Sequence, residues 1–107
     1  MQAMARGKSI LSEEKQCFIC NSTMYLECHH VFNGANRTKS DEDGCWCWLC
    51  SYHHRTGNHA VHKDADRARW LKRYTQRRWE ERYMKDHESD EEEAREAFLG
   101  RYRKSYQ

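Results

Sequence analysis

Proline is absent from this chain of 107 residues, and glycine occurs only five times. A proline-rich spacer is therefore excluded, and no linker of real length or internal repeat is visible. Apolar sequence is scarce too. Hydrophobic residues make up 37%, or roughly 42% with glycine, below the ~45–50% of an ordinary soluble domain. No apolar run approaches the ~20 residues of a membrane span, so no membrane contact is expected. No apolar stretch follows Arg6 and Lys8, so a secretory signal is not expected either. A chain this short and polar buries a modest core and is expected to need a staple.

What is abundant is sulfur and imidazole. The six cysteines all lie between positions 17 and 50, and six of the seven histidines lie between 29 and 62. Without a secretory signal, cysteine mixed with histidine at short spacings reads as metal binding, not as disulfides. Charge is uneven as well. Residues 1–62 carry six Lys/Arg and six Asp/Glu, residues 63–85 carry nine against four, and residues 86–107 carry four against seven. The overall charge of +2 says little, whereas the local basic excess points to an anionic partner.

Three parts are expected. Residues 1–16 have no periodic pattern and read as a flexible arm. Residues 17–62 form a metal-stapled core, and residues 63–107 a helical extension. Within the core, Met24–Cys28 and Cys45–Cys50 read as strands that can pair as a hairpin, and 31–44 reads as turn chemistry throughout. A long helix is expected from about His59 to Met84, with Val61, Ala65, Ala68, Thr75, Trp79 and Tyr83 recurring at helical steps. A last helix is expected from Asp90 to Leu99, capped by Ser89 or Asp90 and stopped at Gly100.

Cys17-Phe-Ile-Cys20 can grip one zinc ion from a tight turn. Its partner pair is either Cys47 with Cys50 or Cys50 with His53. Along a strand side chains alternate, so Cys47 and Cys50 point to opposite faces, which favours Cys17, Cys20, Cys50 and His53. The 29 residues between the two pairs do not fit an ordinary zinc finger. Two adjacent histidine pairs, His29-His30 and His53-His54, can divide labour: one imidazole ligates a metal while its neighbour stays free as a base.

These motifs together resemble the HNH endonucleases of the ββα-metal fold, zinc-supported type. The resemblance rests on Cys17-x-x-Cys20, His29-His30-Val31, the loop to Gly44, the strand to Leu49, and Cys50-x-x-His53-His54. The stretches His29–Arg37, Leu49–His54 and Ala60-Val61-His62, and the tail from Phe98 to Tyr106, are similar to small HNH proteins of bacteriophages and prophages. The resemblance implies an α+β fold, a ββα-metal finger with structural zinc followed by C-terminal helices, and a site of action in the cytoplasm of a bacterial host.

Residue by residue, it implies that His30 is the general base and that His29 and His54 ligate the catalytic ion. It implies Asn58 as third ligand, with His59 and His62 competing for that role. Cys17, Cys20, Cys50 and His53 match the structural zinc ligands. The ion would be Mg²⁺, Mn²⁺ or another first-row metal, and the products a 5′ phosphate and a 3′ hydroxyl. One position departs from the pattern: the family's middle Asn, which ties the loop to the site, is Cys45 here, and Asn33, Asn36 or a backbone group would have to replace it.

The expected partner is DNA. Arg37, Lys39 and Arg55 flank the motif and are candidates for phosphate contact. Arg67, Arg69, Lys72, Arg73, Arg77, Arg78 and Arg82 follow on the long helix. Their angles scatter, and Asp66, Glu80 and Glu81 offer them partners, so a solvated helix face explains them as readily as DNA binding. Cys45 leaves a second function open: an inactive zinc-stapled module that binds nucleic acid or inhibits a host protein. The oligomeric state, a homodimer included, is not legible.

Overall fold

The computed structural model describes residues 6–107. It is a mixed α+β fold built on a two-stranded antiparallel hairpin. Strand β1 (Leu26–His30) pairs with β2 (Trp46–Cys50) so that His29 faces Cys47 and His30 faces Trp46. β1 therefore lies two residues later than the sequence suggests and carries both histidines of the first pair at its end.

The connection between the strands is not all turn. A 3₁₀ turn (Gly34–Asn36) leads into a short helix, α1 (Arg37–Glu42). Six polar residues with no apolar stripe give no helical signal in sequence. The helix forms because Ser40 and Asp41 are drawn into the interior. The Ser40 hydroxyl accepts from Phe32 N–H and donates to the Cys45 carbonyl, spanning the base of the loop.

Residues from 6 onward do not form a loose arm. Gly7 N–H donates to the Asp41 carbonyl and Ile10 N–H to the Gly44 carbonyl, while the Trp46 indole donates to the Gly7 carbonyl. Gly44 makes this possible: its φ is +77°, and a Cβ there would stand 2.0 Å from the Lys8 carbonyl oxygen. The expected arm at residues 1–5 lies outside the described residues.

After β2, a π-helical turn (Tyr52–Thr56) carries His53 and His54. The long helix, α2 (Ala65–His87), starts six residues later than expected. Asp64 caps it, accepting from Asp66 and Arg67 N–H, and the preceding segment folds back so that Val61 and His62 N–H donate to the His53 and His54 carbonyls. The buried residues of α2 are Leu71, Thr75, Gln76 and Glu80, of which the expected stripe included only Thr75. Gln76 and Glu80 are tolerated inside because Ser105 and Arg95 satisfy them.

Helix α3 (Glu91–Tyr102) opens with a capping box between Asp90 and Glu93. It runs through Gly100 instead of stopping there, because Tyr102 buries its ring and donates its hydroxyl to Asp43. Asp43 also accepts from Arg101 and the Trp79 indole, joining the loop to both long helices. Phe98, Tyr102 and Tyr106 pack on Phe32, with centroids 4.9–5.6 Å apart. The C-terminal helices thus share one core with the hairpin and are not an appendage to it. None of the helices is long and apolar enough to cross a membrane, among the described residues.

Candidate active site

Among the described residues, two clusters of metal-ligating side chains draw on the π-helical turn, one through His53 and the other through His54. In the first, the Cys17–Cys20 knuckle is closed by Cys17 N–H on the Ser22 carbonyl and Asn21 N–H on the Cys17 carbonyl, with Asn21 at φ +67°. Phe18 N–H donates to the Trp48 carbonyl and holds the knuckle against β2. Cys50 ends that strand, and His53 sits one turn beyond. The four ligand atoms lie within 4.8 Å of one another. Cys17 Sγ is 3.8 Å and Cys50 Sγ 3.4 Å from His53 Nδ1, and Cys20 Sγ is 3.8 Å from Cys50 Sγ. A tetrahedral zinc site with Zn–S near 2.3 Å places its ligand atoms roughly 3.5–3.8 Å apart, so this set could hold zinc.

The other cysteines stand apart from this cluster. All six are free of disulfides. Burial pushes the Cys45 thiol up to about 12 and raises that of Cys47 further, which keeps both protonated. Cys47, the alternative ligand, lies in the core. At Cys17 burial acts upward, but backbone N–H groups of Cys50, Cys20 and Ile19 outweigh it and bring the thiol below its ordinary value. The thiolate is the metal-binding form.

In the second cluster, β1 supplies His29, the π-helical turn His54, and the returning segment His62. One nitrogen of each lies within 4.8 Å of the others. His54 Nε2 and His62 Nε2 are 3.0 Å apart, and the His29 ring stands edge-on to both at 5.2 and 5.3 Å between centroids. Burial, followed by the neighbouring imidazoles, pushes His29 down to about 3, which leaves it neutral with a free lone pair. Glu27 Oε1 accepts from His54 Nδ1, so the proton sits on Nδ1 and Nε2 turns its lone pair inward. Three convergent imidazoles are a donor set that could hold a first-row divalent ion.

Asn58 is exposed, and His59 pairs with Asp64. The third imidazole is His62.

His30 does not join the cluster. Its Nδ1 lies 2.6 Å from Asp41 Oδ1, and Asp41 is 2% exposed. Its Nε2 lies 3.0 Å from Arg37 Nη2. Because Arg37 can only donate, Nε2 is an acceptor and the ring proton sits on Nδ1, facing the carboxylate. A cavity of about 220 Å³ is lined by His29, His30, His54 and His62, with Asn33, Arg37, Arg55 and Cys28 completing its wall. A larger cleft of about 360 Å³ between the N-terminal segment and α2 holds no comparable set of convergent imidazoles.

The DNA-contact candidates separate. Arg37 and Arg55 line the cavity, whereas Lys39 is half-buried and donates to the Arg101 carbonyl on α3. Cys45 is fully buried with its sulfur 3.7 Å from the Tyr102 hydroxyl, and Asn36 is tied to the Tyr102 carbonyl. Neither reaches His30. Asp41 does, and sequence reasoning missed it. Its signal is its position four residues after Arg37, which puts both on one face once α1 is known to be helical. Compared with known proteins, the chain matches no family model, no curated protein and no solved structure.

Proposed function

We propose that this chain is a metal-dependent endonuclease of the HNH, ββα-metal type that hydrolyses phosphodiester bonds in DNA. One observation carries the reading. A spare imidazole, His30, stands with its tautomer fixed beside a cluster of three imidazoles suited to a divalent ion, in one cavity with two arginines. A module with only a structural role has no use for that combination.

The chain's own groups fit the reaction. His30 Nε2 takes a proton from water as the water oxygen attacks phosphorus, and the bond to the 3′ oxygen breaks. The water oxygen stays on the 5′ phosphate, and the departing 3′ oxygen takes a proton from solvent to become a 3′ hydroxyl. Asp41 stabilises the imidazolium that forms. Arg37 first releases Nε2: it is exposed, and a phosphate is a stronger, bidentate partner for it than an imidazole. Arg55, which also lines the cavity, holds the same phosphate. When bound at His29, His54 and His62, the divalent ion supplies Lewis-acid stabilisation of charge on the phosphate and the departing oxygen. The cluster at Cys17, Cys20, Cys50 and His53 would carry zinc for shape alone.

A second reading, an inactive binding module on the same fold, draws on Cys45 at the family's Asn position. Asp41 weakens that argument, because it ties the loop to His30 without the Asn. Nicking of supercoiled plasmid separates the two. His30→Ala should lower the nicking rate by about 10²–10⁴-fold with zinc content and circular dichroism unchanged. Equal cutting by the variant overturns the assigned base, and no cutting by the wild type with any divalent ion favours the inactive module.

A further inference from the structure

Eight Lys and Arg residues lie on α2, and the structure sets some of them apart. Arg78 pairs with Glu81. Lys72 leans over the Tyr106 ring. Arg69, Arg73 and Arg77 differ from these. They recur every four residues, all are exposed, and none meets a carboxylate within 4.0 Å among the described residues. With Trp70 and Asp66 they line one surface cleft of about 260 Å³.

We propose that this face of α2 docks the phosphate backbone of duplex DNA. Four-residue steps set successive guanidiniums about 6 Å apart along the axis, and one DNA strand presents a phosphate every ~3.4 Å of its own axis. The stripe can therefore engage three phosphates without reading bases. Unpaired like charges at i, i+4 cost a helix stability, so their spacing needs an anion that neutralises them.

The stripe is also fixed in place relative to the first ligand cluster. Trp70, at its edge, is 45% exposed and packs against Phe18 of the cysteine knuckle and against Tyr74. Asp66 is the one acidic group in the cleft and belongs to the first turn of α2, where it complements the helix dipole. The choice of DNA as partner rests on the nuclease reading.

The test measures affinity for a labelled mixed-sequence duplex across a range of salt, in a His30→Ala background so that the probe stays intact. Replacing Arg69, Arg73 and Arg77 together by Gln, a good helix former, should make the slope of log K against log salt shallower by roughly 2–3. On a fourfold rise in salt, the variant should lose roughly 40-fold less affinity than its parent. Arg78→Gln, whose charge is already paired, should leave the slope unchanged. An unchanged slope in the triple variant overturns the proposal, as does a slope change seen with double-stranded RNA and not with DNA. If the slope is unchanged while the wild type nicks plasmid, this inference fails alone. If the slope falls while the wild type nicks nothing, the docking surface stands and the nuclease reading fails.

Discussion

At the scale of single residues, the site depends on carboxylates that hold imidazoles in one tautomer. Glu27 does this for His54 and Asp41 for His30. Both work through a proton, so an isosteric amide tests them. Asp41→Asn keeps the size of the buried side chain, but its amide can present N–H to Nδ1, which favours the tautomer with the proton on Nε2. Nicking should fall about 10–100-fold in kcat with little change in KM, while zinc content and unfolding midpoint stay near wild type. A variant that cuts at the wild-type rate would show that Asp41 only fills space.

At the scale of elements, the loop is held by close backbone approach, and Gly44 is where this is tightest. A Cβ there meets the Lys8 carbonyl oxygen at 2.0 Å, and φ is +77°. Gly44→Ala should therefore destabilise the protein by more than ~1 kcal/mol in a denaturant melt. Wild-type stability would mean that the N-terminal segment is not packed there. The elements also show what a sequence conceals. The hairpin, the knuckle and the α3 cap are legible because short strand-like runs, Cys-x-x-Cys and a capping Asp ahead of acidic residues are local patterns. Helix α1 is not, because burial of Ser40 and Asp41 is decided by Phe32 and Cys45, which lie elsewhere in the chain. The start of α2 is displaced for a similar reason: His62 turns back to meet His54, and no local propensity records that contact. Spacing and strand alternation favoured Cys17, Cys20, Cys50 and His53 over the Cys47 alternative, whereas the convergence of His62 on His29 and His54 appears only in the fold.

At the scale of the whole molecule, two donor sets of different chemistry share one small core. The sulfur-rich set ties the knuckle to the end of β2, and the imidazole set faces a cavity walled by arginines. If the first serves shape and the second serves cutting, their metals should act independently. The most direct measurement follows plasmid nicking by zinc-loaded protein as Mg²⁺ or Mn²⁺ is added stepwise, with bound zinc counted at each step. The account predicts about one zinc per chain throughout, with nicking negligible before the second ion is added and rising to a plateau as it binds. Full nicking with the sulfur-held zinc alone, or nicking that appears only as that zinc is displaced, would contradict it.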